Sequence, residues 1–269
     1  MLNLIKALII GIVEGITEWL PISSTGHMIL LDEVLKLDVS AAFREMFLVV
    51  IQLGAALAVV VLYFKRLFPI VRSTRTERRT AVTLWGKILV SCVPAAIVGL
   101  AFDDKIDALF FNAPTVAAAL AVYGVIFILL ERGRKSAPTI TSTGEITYKI
   151  ALLIGAFQLL ALIPGTSRSG ATIIGAMLLG TSRETAAEYT FFLAVPVMAG
   201  AGLLKLVKFG FAFAGGELAV LAVGFVTAFI VSVFAIRFLV SFVKRHTFVG
   251  FGVYRILLAI AVFVLLVLD

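Results

Sequence analysis

Apolar residues run through this chain in long blocks, and the blocks have the length a helix needs to cross a bilayer, about 20 residues. They lie at about 46–64, 84–102, 115–130, 186–206, 217–236 and 250–268. Apolar and polar positions do not alternate within them, which excludes a membrane barrel. Two further apolar stretches are broken. The first covers residues 4–20 and is stopped by Pro21, because the residue before a proline is disfavoured in the α region. Ser23, Ser24 or Thr25 then caps a second helix reaching about Leu35. That helix is too short to cross a bilayer, so the pair reads as a re-entrant hairpin or as one broken crossing.

The broken pattern recurs. Ala7-Leu8-Ile9-Ile10-Gly11 returns as Ala151-Leu152-Leu153-Ile154-Gly155, at an offset of 144 residues. At that offset Glu14 matches Gln158, Gly26 matches Gly170 and Phe47 matches Phe191, while Leu20-Pro21 matches Ile163-Pro164 with a slip of one. The chain therefore reads as a single membrane domain, 1–269, of two internal repeats, about 1–135 and 145–269. Gly11, Glu14, Gly15 and Glu18 share one helix face, and the two glycines there admit a close neighbour.

Composition agrees with a membrane location. Of 269 residues 61% are hydrophobic and only 14% charged, against about 25% charged in soluble domains; the mean hydropathy is +1.13. The net charge of +7 sits in loops, so it marks topology and not nucleic-acid binding. The lone Cys92 forms no intrachain disulfide and supports no thiolate metal site. The N-terminal apolar stretch, interrupted by Glu14 and Glu18, reads as a resident helix and not a cleaved signal.

The basic residues set the orientation. Lys65, Arg66, Arg72, Arg75, Arg78, Arg79 and Lys87 place the segment after the first crossing in the cytoplasm. Asp103, Asp104, Lys105 and Asp107 then lie outside, and Arg132, Arg134, Lys135 and Lys149 inside. If both broken pairs are re-entrant hairpins, each half crosses three times, the halves are inverted, Arg237, Lys244 and Arg245 face the cytoplasm, and both termini lie outside. Broken crossings would put those three basic residues outside. The expected fold is thus all-α, with two inverted-topology repeats, six transmembrane helices and two re-entrant helical hairpins.

The chemistry gathers at the two breaks. Ionisable and hydroxyl groups within apolar segments are costly and point to function. Two short helices starting at Ser- and Gly-rich loops would aim their N-termini at one place, which favours an anion. Arg168 adds a planar fork for phosphate oxygens. Glu14 and Glu18 need a counter-cation, and a hard divalent ion bridging carboxylates and phosphate would supply it. His27, three and four residues after Ser24 and Ser23, can reach either hydroxyl, a nucleophile-plus-base arrangement. Gln158 stands where Glu14 does in the first half, as a supporting hydrogen-bonder. Each group also has a plainer role: Glu14 and Glu18 as structural partners of Arg168, the hydroxyls as helix caps, His27 as a packed histidine. Trp19, Trp85 and the phenylalanines read as packing or interface residues.

The run Glu14-Gly15-Ile16-Thr17-Glu18-Trp19-Leu20-Pro21-Ile22-Ser23-Ser24-Thr25-Gly26-His27 and the run Pro164-Gly165-Thr166-Ser167-Arg168-Ser169-Gly170 resemble the two signatures of bacterial undecaprenyl-diphosphate phosphatases of the bacitracin-resistance type. The resemblance covers essentially the whole chain. It implies an inner-membrane enzyme with an outward-facing site that hydrolyses a polyprenyl diphosphate to the monophosphate, assisted by Mg²⁺ or Ca²⁺. It implies recycling of the lipid carrier of cell-wall synthesis and bacitracin resistance. Ser24 becomes the candidate nucleophile, His27 its activator, Glu14 and Glu18 the metal and acid–base carboxylates, and Arg168 the diphosphate clamp. Ser23, Thr25, Gly26, Ser167, Ser169, Gly170 and Gln158 would surround the phosphates. The substrate and the membrane lipids are the expected partners, with a homodimer left open. A lipid-phosphate transporter or flippase is the alternative from another class, since inverted repeats with broken helices typify transporters. Against it, the acids and His27 lie only in the first half and Arg168 only in the second.

Overall fold

The computed structural model describes residues 1–69, 74–110, 112–134, 136–210 and 212–266. Arg72, Lys135 and the end of the last expected crossing at 268 fall outside that set, and of Asp103, Asp104 and Asp107 only the backbone is described. Eleven helices follow one another: α1 Leu2–Thr17, α2 Ser24–Leu35, α3 Ala41–Leu62, α4 Phe64–Leu67, α5 Arg75–Phe110, α6 Ala113–Gly133, α7 Tyr148–Gln158 with a tight turn Leu159–Leu162 behind it, α8 Arg168–Leu178, α9 Arg183–Phe209, α10 Glu217–Val243 and α11 Val249–Leu266. Among the described residues no strand forms beyond an isolated bridge of Ile140 with Thr181.

Among the described residues five helices are long and apolar enough to span a membrane: Ala41–Leu62, Arg75–Phe102, Ala113–Gly133, Arg183–Phe209 and Glu217–Val243. The protein is an all-helical, multi-pass membrane protein. Its outer surface is apolar, with Leu100, Phe234 and Leu257 more than half exposed, as lipid-facing positions are. Several boundaries differ from the sequence expectation: α3 starts at Ala41, not near 46, α5 runs on to Phe110, so that the backbone at 103–107 is helical and not a loop, and α10 runs on to Val243. α1 ends at Thr17, one turn before Leu20, because the chain turns ahead of Pro21. α5 begins at Arg75, not near 84. Thr74 and Glu77 form a capping box there: Glu77 N donates to Thr74 Oγ1 at 3.2 Å and Thr74 N to Glu77 Oε2 at 2.6 Å. Of the basic residues expected in a loop, Arg75, Arg78 and Arg79 therefore ride on the first turns of α5, and Lys65 and Arg66 lie on α4.

Glycines set the closest helix contacts. A Cβ at Gly11 would stand 2.7 Å from the Gly224 carbonyl oxygen, and one at Gly15 2.8 Å from that of Ala228, so α1 lies directly on α10. α7 meets α5 in the same way, with a Cβ at Gly155 only 2.2 Å from the Ser91 carbonyl oxygen. α6 and α11 touch through Gly124 and Gly252, each lying where a Cβ would be 2.7 Å from the other's carbonyl oxygen. Contacts of this kind let backbones approach where no hydrophobic force drives helices together. Trp19, Tyr189, Phe191 and Phe192 are fully buried at the centre, Trp19 meeting Phe191 edge-on at 5.4 Å between ring centroids.

Both breaks adopt one geometry. Ser23 and Ser167 sit at φ 72°, the non-glycine residues with left-handed φ among those described. Each caps its helix with its own hydroxyl: Gly26 N donates to Ser23 Oγ at 3.3 Å and Gly170 N to Ser167 Oγ at 3.1 Å. Because the Gly155 contact is backbone on backbone, Gly155→Ala must part α5 from α7. It is expected to cost about 1–3 kcal/mol, read as a lowered unfolding midpoint in detergent; an unchanged midpoint would show that the interface yields freely.

Candidate active site

Helix breaks deliver polar groups to the centre of the bundle. Leaving α1, the chain presents Glu18 and Trp19, turns at Pro21 and enters α2 at Ser24. The second break brings Ser167, Arg168 and Ser169 against it. Glu18, 6% exposed, joins the two. Ser24 Oγ donates to Glu18 Oε2 at 2.8 Å, and Arg168 Nη2 donates to Glu18 Oε1 at 2.9 Å. Arg168 Nη1 also donates to the Thr190 carbonyl at 3.0 Å, and its guanidinium lies 5.8 Å from the Trp19 ring centre. The serines continue the link. Gly170 N donates to Ser167 Oγ, which bonds Ser169 Oγ at 3.0 Å, and Ser169 Oγ donates to the Glu18 carbonyl at 3.2 Å. Thr172 and Thr190 close the far side, hydroxyl to hydroxyl at 2.9 Å.

A cavity of about 230 Å³ opens on this cluster, lined by Glu18, Ser24, Thr25, Gln52, Gln158 and Arg168 among others. A larger cleft, about 1440 Å³, lies elsewhere, against α4, the start of α5 and residues 142–144. Basic side chains line it, but among the described residues it brings no hydroxyl onto a buried carboxylate, so the smaller cavity is the candidate site.

Most of the residues singled out in the sequence meet here. Glu18, Ser24, Arg168, Ser167 and Ser169 are joined by hydrogen bonds, and Thr25 and Gln158 face the same cavity. The amides of Gly26 and Gly170 are spent on the serine caps; the preceding N–H groups of each helix have no intrahelical acceptor. Glu14 stands one turn before Glu18, whose N donates to the Glu14 carbonyl at 3.0 Å. His27 departs from expectation, for it does not touch Ser24. Its Nδ1 faces the Ser23 carbonyl at 2.7 Å and so carries the hydrogen; Nε2 then accepts from the Tyr254 hydroxyl at 2.7 Å, the two rings stacked at 5.6 Å. The hydroxyl expected to bond the imidazole bonds the Glu18 carboxylate instead, because one turn of α2 points His27 toward α11.

Five groups at the site are absent from the sequence expectation. Tyr254 and Arg255 come from α11, Thr190 from α9, Thr172 from α8 and Gln52 from α3. Arg255, fully buried in an apolar run, carried the signal that marked Arg168 and deserved the same weight.

Whether the site suits a divalent cation turns on its donors. Glu14 is 1% exposed and its Oε1 has no partner; both amide atoms of Gln158 are likewise buried and unpartnered. No group of three or more His, Cys, Asp or Glu able to hold a metal occurs among the described residues. One or two carboxylates completed by substrate phosphate oxygens is the ordinary mode for Mg²⁺, so the donors fit a cation that arrives with its substrate.

Comparison with known proteins gives the family. The family model "Bacitracin resistance protein BacA" matches residues 7–261. The chain belongs to the BacA family. Relatives in that family include the "Undecaprenyl-diphosphatase" of Acetivibrio thermocellus, 59% identical over 264 residues and 97% of each chain. The "Undecaprenyl-diphosphatase 1" of Clostridium acetobutylicum is 57% identical over 266 residues, 98% of this chain and 97% of its own. An "Undecaprenyl-diphosphatase" of Enterococcus faecalis is 54% identical over 265 residues, 97% and 96% of the two chains.

Arg168 and Glu18 are 12% and 7% exposed at their side chains, so each is the other's main counter-charge. Glu18→Leu, which strands the guanidinium, is expected to destabilise the chain by about 3–5 kcal/mol. Adding Arg168→Met should restore much of that. Thermal unfolding of the single and double variants checks it, and equal stabilities would show that the pair is not what the fold depends on.

Proposed function

We propose that this chain hydrolyses undecaprenyl diphosphate to undecaprenyl phosphate and inorganic phosphate, recycling the lipid carrier of cell-wall synthesis and so conferring bacitracin resistance. One observation carries the reading: a single buried carboxylate, Glu18, holds a serine hydroxyl on one oxygen and an arginine fork on the other, within a cavity. The names and the 52–59% identity of the family's members give the substrate class.

In the proposed reaction the terminal phosphate enters between Arg168 and the start of α2, where the guanidinium and the free amides neutralise it. Ser24 Oγ attacks the terminal phosphorus and Glu18 Oε2 takes its proton. The P–O bond to the bridging oxygen breaks, lipid monophosphate leaves, and water then cleaves the phosphoserine to release inorganic phosphate. His27 serves beside this pair, its Nε2 in reach of a proton once Tyr254 turns away. Glu14 and Glu18 would hold Mg²⁺ or Ca²⁺ together with the diphosphate, and the ion would supply charge neutralisation.

The proposed architecture is the inverted one, with six crossings and two re-entrant hairpins. The matched contacts of α1 with α10 and α7 with α5, the matched left-handed serines and the reciprocal Gly124–Gly252 contact support it. Basic residues on the first turns of α5 and after α10 support both termini outside and a site facing outward in the inner membrane.

Two experiments test these readings. Detergent-solubilised protein, with no second compartment, is expected to release phosphate from undecaprenyl diphosphate, to stop in excess EDTA, and to lose about 10²–10⁴-fold in rate as Ser24→Ala. Lipid binding without phosphate release under any metal condition would hand the site to the flippase reading. For topology, a cysteine appended after Asp269 in a Cys92→Ser background should react with a membrane-impermeant maleimide in intact cells. Labelling only after permeabilisation would overturn the orientation.

A further inference from the structure

Arg255 has no carboxylate. It is fully buried in α11, the largest such side chain after Trp19, and none of the ion pairs among the described residues includes it. Both terminal nitrogens of its guanidinium bond backbone carbonyls, while Nε is buried without a partner. Nη1 donates to the Pro21 carbonyl at 3.2 Å, and Nη2 donates to the carbonyls of Gly165 at 2.8 Å and Thr166 at 2.9 Å. Those acceptors belong to two loops more than 140 residues apart in the chain, the same two that carry Ser24 and Arg168. Both loops are breaks in apolar segments, where carbonyls released from a helix have no water to bond.

The side chain is aimed by its surroundings. Its guanidinium lies 5.7 Å from the Tyr123 ring centre on α6. The Gly124–Gly252 contact, one turn before Arg255, brings α11 onto α6 at backbone distance, and a Cβ at Gly124 would meet Arg255 Cβ at 3.3 Å. The α6–α11 pair also backs both loops. A Cβ at Gly165 would stand 2.6 Å from the Val116 carbonyl oxygen of α6, and one at Gly26 3.1 Å from Leu120. A Cβ at Gly170 would come within 3.4 Å of Arg255 Nη1 itself.

We infer that Arg255 is the positioning residue of this site, a single planar fork that bonds both re-entrant loops at once and holds Ser24 of one in register with Arg168 of the other. It touches neither Ser24 nor Glu18 and acts through the loops. A neutral side chain could fill the space at far lower desolvation cost; five N–H donors in one plane are what bonding to two separate backbones requires. The inference rests on the reading of this cavity as the phosphatase site.

The test uses full-length protein in lipid nanodiscs with two replacements. Arg255→Lys keeps the charge and loses the fork. Arg255→Gln removes the buried charge, and with it the desolvation cost that could prevent folding, but keeps two donors. Amide hydrogen exchange is read by mass spectrometry on peptides covering 18–27 and 163–171, beside peptides from α3 and α9. Both loops are expected to lose protection together in each variant while α3 and α9 keep theirs. In phosphate release, kcat should fall about 100-fold, as for a misplacement near 1 Å, with KM little changed. Loosening of one loop alone, of neither, or of the whole protein would overturn the inference; so would loss of the fold in both variants, which would make Arg255 a folding residue. If wild-type protein releases no phosphate the proposed function fails, and the exchange comparison still decides the role of Arg255.

Discussion

Breaking a helix inside a low-dielectric interior releases backbone groups that water cannot satisfy, and everything else at the centre of this protein answers that constraint. Pro21 and Pro164 end two apolar helices in the middle of the bundle. The amides freed at the next helix starts are taken by Ser23 and Ser167. The carbonyls freed behind them are taken by Ser169 and Arg255. A polar cluster that looks expensive residue by residue is inexpensive as a set, because nearly every member satisfies another. Among the described residues the exceptions in the cluster include Glu14 Oε1, the Gln158 amide, Trp19 Nε1, Thr166 Oγ1 and the Nε atoms of Arg168 and Arg255, and of these Gln158 and Arg168 line the cavity.

Charge follows the same logic. Glu18 neutralises Arg168 directly, while Arg255 is neutralised by the negative ends of three carbonyl dipoles and the face of Tyr123. One cation is therefore held by a group that an incoming phosphate can displace. The other is held by groups that cannot leave without opening the loops. In the proposed reaction that difference would divide clamp from frame, the half-buried Arg168 being the first and the fully buried Arg255 the second.

Much of this was legible in the residues. Runs of about 20 apolar residues mark where the long helices lie, though α5 starts well before and ends well after its run and α10 outlasts its own, and Pro21 marks the first break. Gly11 and Gly15 announced the close contact that α1 makes with α10. Spacing along one helix brought Glu14 and Glu18 together and placed Ser24 near them. What failed was direction across helices. His27 is one turn from Ser24 in sequence, yet the start of α2 turns the ring toward Tyr254, a residue 227 positions away. The start of α5 was misjudged because charge was read as loop, when a capping box at Thr74 and Glu77 carries the helix out beyond the apolar run. Arg255 was passed over because no loop motif surrounds it.

The paired serines at φ 72° bear on where backbone strain comes from. Strain in a non-glycine residue is commonly traced to the reaction it serves. Here the same unfavourable dihedral, with the same hydroxyl cap, occurs at Ser23, five residues after the acid Glu18, and at Ser167, where the preceding turn is Leu159–Leu162 and holds no acid at all. The strain cannot then belong to the acid or to the proton it takes. It belongs to reversing a chain within one turn while keeping its first amides bonded, a problem both halves share. Of two equally bent hinges, one carries the carboxylate Glu18 beside it and the other the guanidinium of Arg168, so the bend is common to both while the charge differs.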